Sequence, residues 1–174
     1  MARVVLHIGM PKCGSSAIQT ALTRAPEHRN REGKRVSYFA LSRQGHLLAV
    51  KDQQERVARR PFGFLASHPF EDVEWMEGAR EQARGVLETF GGTLILSYES
   101  WLTALRAIRA SSLFAGPEID CEAVAYIRPP VEWINSGWWQ WGAWSGVGFD
   151  AWVRQGARRF VQMVDALESW READ

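Results

Sequence analysis

The sequence predicts an α/β fold of three layers, a parallel sheet flanked by helices, in a single domain spanning residues 1–174. Three observations predict it. Val4–Ile8, Thr93–Ser97 and Ala123–Ile127 are short apolar runs without polar alternation, the pattern of strands covered on both faces. Helix-like stretches separate these runs, so strand and helix alternate along the chain. A chain of 174 residues has the length of one domain and buries about 70% of its unfolded surface.

The elements follow in order. Val4–Ile8 ends at Gly9, after which Pro11, Lys12, Gly14 and two serines precede a helical pattern. Ser15–Thr23 starts with serines at a cap position and sets Ile18 and Leu22 four apart. Arg29–Arg35 is a charged, glycine-containing loop, and Gln53–Arg60 is a solvated, charged face rather than a binding element. Trp75–Phe90 places Trp75, Ala79, Ala83, Val86, Leu87 and Phe90 on one side, and Gly91-Gly92 stops it. Val131–Trp141 follows Pro129-Pro130, and a helix tolerates proline in its first turn. Phe149–Trp170 carries an apolar stripe of Trp152, Phe160, Val164 and Leu167. There is no internal repeat and no linker.

Of the nine tryptophans, Trp138 and Trp141 fall with Ile134 at i, i+4 and i+7, a core stripe. Trp133, Trp139 and Trp144 fall off that stripe as an aromatic wall. Such a wall packs at a subunit interface or stacks on a sugar or an adenine ring, and the interface is the favoured reading.

Composition excludes several classes of function. The net charge of +1 gives no bulk attraction to nucleic acid, so any anion site must be local. No apolar run approaches the roughly 20 residues of a membrane span, and the N-terminal run is too short for a signal peptide. Cys13 and Cys121 do not form a disulfide framework, which points to a reducing cytoplasm.

Open parallel sheets bind ligands outside the carboxyl ends of their strands, and HIGMPKCGSSAIQTAL, residues 7–22, sits at such an end. Gly14 allows the backbone to turn closely around an anion. The amides of Ser15, Ser16 and Ala17 are donors of a helix N-terminus, and with the helix dipole they favour phosphate. Lys12 adds a full charge. A plain strand-to-helix turn with Lys12 in water is the alternative. The lysine precedes the glycine here, whereas the nucleoside-triphosphate loop places it after. No carboxylate ends a later strand in a way that suits magnesium, so an ordinary ATPase is disfavoured and no metal is expected. A second segment, AYIRPPVEWINSGWWQ at residues 125–140, repeats the grammar of strand, cation and helix start. Arg128 and, eight residues on, Ser136 can converge on another phosphate. Their alternative is a surface ion pair and a helix filler.

Together the two segments resemble the sulfotransferase family, and most closely its bacterial members that sulfate carbohydrates. The residues that carry the resemblance are Pro11-Lys12-Cys13-Gly14-Ser15-Ser16, the Arg128 and Ser136 pair, the Arg128-to-Trp133 stretch and Leu94-Ile95-Leu96-Ser97-Tyr98-Glu99. The resemblance implies a fold like that of P-loop nucleoside triphosphate hydrolases. It also implies a donor, 3′-phosphoadenosine 5′-phosphosulfate, and an acceptor hydroxyl on a saccharide. Lys12, Cys13, Gly14, Ser15 and Ser16 would hold the 5′-phosphosulfate, with Cys13 standing where the family has a hydroxyl residue. Arg128 and Ser136 would hold the 3′-phosphate. Lys12 would stabilise the leaving phosphate.

For the base that deprotonates the acceptor, Glu99 ranks first, because it follows Thr93–Ser97 at the same sheet edge. A structural carboxylate is its alternative. His46 ranks second, following a loop where family members keep polar acceptor-side residues. His7 reads as a core histidine, and His68 has no positional argument. The resemblance covers nearly all of this chain but only part of a family domain, which implies a C-terminally incomplete domain. An open apolar face then predicts homo-oligomerisation, weak nucleotide binding and slow transfer or none. Two other classes stay open: an inactive nucleotide-binding remnant, and a small-molecule kinase with an atypical phosphate loop.

Overall fold

The computed structural model describes residues 2–59, 62–68, 73–117 and 119–172. The order of elements is β1 (Ala2–His7), α1 (Ser15–Arg24), β2 (Glu27–Arg29), β3 (Arg35–Leu41), β4 (Leu47–Ala49), α2 (Gln54–Ala58), α3 (Val73–Thr89), β5 (Thr93–Ser97), α4 (Leu105–Ser111), β6 (Ile119–Val124), α5 (Pro130–Gly137) and α6 (Phe149–Arg171). Strands β2-β3-β5-β1-β6 form one sheet in that spatial order, with β4 paired to β3. The β3–β5, β5–β1 and β1–β6 pairings are parallel, and β2 and β4 are antiparallel to β3. The expected α/β class therefore holds, with a mixed and mostly parallel sheet. No described helix is long and apolar enough to cross a membrane.

Side-chain alternation explains why helices cover both faces. Val4, Leu6, Ile8, Leu94, Leu96, Phe39 and Leu41 point to one face, where they meet Ala83, Leu87 and Phe90 from the α3 side, Ile108 of α4, Trp133 of α5 and Met163 of α6. Each of these aliphatic side chains contributes about 1.5–3 kcal/mol by leaving water. The other face carries a smaller cluster of Tyr38, Ala40, Val50, Val57 and Leu65, with Leu22 and Ile95 against it. There α1 inverts its expected pattern. Ser15, Gln19 and Thr23 are its buried residues, not Ile18 and Leu22. Two of the three are satisfied inside: Gln19 donates to Ser97 Oγ at 3.1 Å, and Thr23 Oγ1 accepts the Leu65 amide at 3.0 Å.

Several boundaries differ from the sequence reading. Arg29–Arg35 is not a loop throughout, since its ends belong to the β2–β3 hairpin. Asn30 closes the turn by accepting the amides of Glu32 and Lys34 at 3.0 and 2.9 Å, and Gly33 takes φ 77°. Gln53–Arg60 contains α2, whose Val57 is buried while its charged residues are solvated as expected; Arg60 lies outside the described residues. In α3, Ala83 and Leu87 face the core, and the side chains of Trp75 and Ala79 lie outside those described.

The run at Ala123–Ile127 is displaced. β6 pairs with β1 from Ile119 to Val124, and Tyr126 and Ile127 lie beyond the strand, 53% and 62% exposed. Asp120 and Glu122 inside the strand are held by Arg3 of β1, so an ion pair supplied what hydrophobicity did not. The stripe of α6 holds in part: Trp152 is buried and Phe160 and Leu167 pack on the core, but Met163 rather than Val164 is the buried residue between them, and Gly156 is buried as well.

The tryptophans need the largest correction. Trp133, placed off the core stripe by helical periodicity, is 4% exposed and belongs to the core. Trp141, placed on the stripe, is 39% exposed. For Trp141 the cause is a π-helical turn at Trp138–Gly142, where an extra residue per turn changes the phase of everything after Gly137; Trp133 precedes that turn and shares the buried face of α5 with Gly137. Trp139 and Trp144 stay outside the core, at 65% and 82% exposure.

Candidate functional site

The segment after β1 is held in an unusual backbone shape. Gly9, Lys12 and Gly14 take φ values of 50°, 67° and 93°. For Lys12, a residue with a Cβ, this conformation costs about 1–2 kcal/mol. The surroundings fix it: Ile8 donates to Val124 O at 3.0 Å, Cys13 donates to Met10 O at 3.2 Å, and Met10 is fully buried. The indole of Trp133 donates to Pro11 O at 2.7 Å, which pins the loop to α5. Gly9 has a steric role as well. A Cβ there would lie 2.9 Å from Ser15 Oγ and 3.3 Å from Glu99 Cα, so its bare backbone lets α1 and the turn after β5 approach together.

The helix N-terminus differs from the expected one in two respects. Gly14, not a serine, is the cap residue, and no side chain caps the helix. Ala17 is not a free donor, because its amide bonds Gly14 O at 3.0 Å. The amides of Ser15 and Ser16 make no hydrogen bond among the described residues, and no acidic residue occupies the first turn. Ser15 is 3% exposed, and its Oγ is buried without a partner among the described residues. Such a group ordinarily costs about 1–3 kcal/mol.

Lys12 extends toward the segment after α5. Its ammonium donates to Gln140 Oε1 and lies 5.6 Å from the centroid of the Trp141 ring. It forms no ion pair among the described residues. Cys13 is within electrostatic reach of both Arg128 and Glu99. Burial raises its thiol pKa, the Arg128 backbone and charge oppose that rise, and the Glu99 charge adds to it. Loop, β6 exit and β5 exit thus meet at one edge of the sheet. Glu99 is half-buried and opens a 3₁₀ turn at Glu99–Thr103, just after Tyr98 donates to His7 O at 3.1 Å. Ser136 is half-buried on α5.

His46 is not brought in. It is exposed in the β3–β4 turn, where its amide donates to Ser42 Oγ at 3.0 Å and its carbonyl accepts the Ser42 amide at 2.8 Å. His68 acts through its backbone, donating to Leu41 O at 2.7 Å and accepting Trp101 Nε1–H at 3.2 Å. His7 is the buried core histidine that the sequence suggested. Cys13 and Cys121 are free thiols. Sequence reasoning missed Gly9, Trp133, Gln140 and Trp141 as parts of this site. Only Gly9 carried a signal, a glycine at a strand end.

No family model, curated protein or solved structure matches this chain.

Proposed function

We propose that the chain is a sulfotransferase that moves a sulfuryl group from 3′-phosphoadenosine 5′-phosphosulfate to an acceptor hydroxyl on a saccharide. The observation that carries the reading is the cradle at β1–α1. Lys12 in a left-handed conformation, two unengaged amides and the unpartnered Ser15 hydroxyl fall within residues 12–16 at the sheet edge, with Arg128 and Glu99 both within electrostatic reach of Cys13. The donor fits these residues: the cradle offers donors and a cation for the 5′-phosphosulfate, and Arg128 with Ser136 provides a cation and a hydroxyl for the 3′-phosphate.

The donor supplies an activated sulfur–oxygen bond. In transfer, the acceptor oxygen forms a bond to sulfur while the bond from sulfur to the phosphate oxygen breaks. The bond's electrons stay on the departing phosphate. Lys12 and the amides of Ser15 and Ser16 neutralise that growing charge, as preorganised donors do in phosphoryl transfer. Glu99 accepts the acceptor's proton from its place at the same edge. His46, exposed in the β3–β4 turn with its backbone bonded to Ser42, is not assigned the role of base.

The test is transfer from the phosphosulfate to a panel of saccharides, read as acceptor-dependent release of adenosine 3′,5′-bisphosphate. Saccharide-dependent release supports the reading. Magnesium-dependent consumption of ATP, with no release from the phosphosulfate, would replace it with a kinase.

A further inference from the structure

We infer that Gln140 is a positioning residue that holds Lys12 in reserve, competing with the incoming anion for the ammonium. The inference rests on the anion site proposed above and adds a control to it. Three observations carry it. The ammonium of Lys12, the only full charge in the loop, is bonded by the amide oxygen of Gln140 and flanked by the face of Trp141, with no carboxylate paired to it among the described residues. A neutral amide is the weaker acceptor for a cation, so a phosphate oxygen displaces it readily. Gln140 sits in the π-helical turn Trp138–Gly142, a kind of irregularity that concentrates at functional positions.

The connectivity gives the contact a purpose. Pro11, one residue before Lys12, is fixed by the Trp133 indole from α5. Gln140, on the turn that continues α5, holds the ammonium end of the Lys12 side chain. Loop and helix therefore stay joined while no anion is bound, and Lys12 is kept beside the ring of Trp141 rather than extended into water. When a phosphate enters the cradle, its oxygen takes the place of Gln140 Oε1. The amide is then solvated on the surface, where Gln140 already lies. Every ligand that recruits Lys12 must first break this contact. The affinity of the unaltered chain therefore includes that cost.

Substitutions at an exposed position test this without unfolding the chain. Binding of adenosine 3′,5′-bisphosphate and of inorganic pyrophosphate is measured by calorimetry for the unaltered chain, Gln140→Ala, Gln140→Glu and each change in a Lys12→Ala background. Gln140→Ala should bind both ligands about three- to tenfold more tightly, because one hydrogen bond no longer competes. Gln140→Glu should bind about threefold more weakly or worse at low salt, because a carboxylate holds the ammonium, and added salt should reduce that loss. Without Lys12, neither substitution should change affinity, a cancellation that a purely structural Gln140 would not show. Equal or weaker binding by Gln140→Ala, or effects that persist without Lys12, would overturn this inference and leave the anion site standing. No binding of either ligand by the unaltered chain would overturn both.

Discussion

The Nδ1 atom of His7 lies 2.7 Å from the Ser97 hydroxyl, which joins the ends of the two central strands β1 and β5 through one buried polar contact. Gln19 of α1 donates to the same hydroxyl. The other ring nitrogen, Nε2, is buried without a partner among the described residues, and the ring packs edge-on to Tyr126 at 5.7 Å. Burial lowers the His7 pKa below its ordinary 6.5, because a charged ring would carry a second N–H with no acceptor.

Stability should therefore fall on the acid side. The unfolded chain takes up a proton at His7 more readily than the folded chain, so the contribution is whole above about pH 6.5 and is lost as pH falls toward the lower folded value. Thermal melts at roughly pH 7.5 and pH 5.5 should show the drop, and His7→Gln should flatten it. An unchanged slope in that variant would assign the acid sensitivity to other groups.

Lys12 and Arg128 should separate by ligand. Lys12→Ala removes the loop's charge and should weaken any 5′-phosphorylated adenosine. Arg128→Ala should weaken only ligands with a 3′-phosphate, by about 1.5–3 kcal/mol if a charge-assisted hydrogen bond is lost. Calorimetry with adenosine 5′-phosphate and adenosine 3′,5′-bisphosphate makes the comparison. Equal losses for both ligands in Arg128→Ala would remove Arg128 from the 3′ position.

Glu99→Gln should reduce transfer about 10²-fold or more while leaving bisphosphate affinity nearly intact. Steady-state rates and a binding isotherm on the same sample check it. A variant that binds and transfers normally would show that another group takes the proton.

Trp133→Phe keeps most of the packing against Phe160, whose ring centroid is 5.9 Å away, but loses the bond to Pro11 O. The expected cost is about 1 kcal/mol of stability, with weaker anion binding because the loop is no longer pinned. Denaturant melts and pyrophosphate binding measure the two effects. Normal binding despite the lost stability would show that the pin serves the core alone.

The parts of this molecule legible in its sequence are those written in local chemistry. β5 is legible to the residue because Thr93–Ser97 is apolar and bounded by Gly92 and a turn. The loop around Lys12 and Gly14 was visible as a cation and a bare backbone at a strand end. β6 is hidden at its start because its outer residues, Asp120 and Glu122, pair with Arg3 of a strand more than a hundred positions away. The hairpin strand β2 is three residues long and wholly exposed, so it has no hydrophobic period to find. Gln140 and Trp141 could not be linked to Lys12, since an extra residue in one helical turn decides where they point. The orphaned Ser15 hydroxyl is a fact of packing around Gly9, invisible in a string that shows only two serines.

The most direct measurement is the affinity of the unaltered chain for adenosine 3′,5′-bisphosphate beside ATP with magnesium, by calorimetry and by melting temperature. A sulfotransferase donor site at Lys12, Ser15 and Arg128 predicts tighter binding of the bisphosphate without metal. It also predicts stabilisation of about 2.7 kcal/mol at a hundredfold excess over its dissociation constant, lost on Lys12→Ala. Equal or tighter binding of ATP with magnesium, or bisphosphate binding indifferent to both Lys12→Ala and Arg128→Ala, would contradict it.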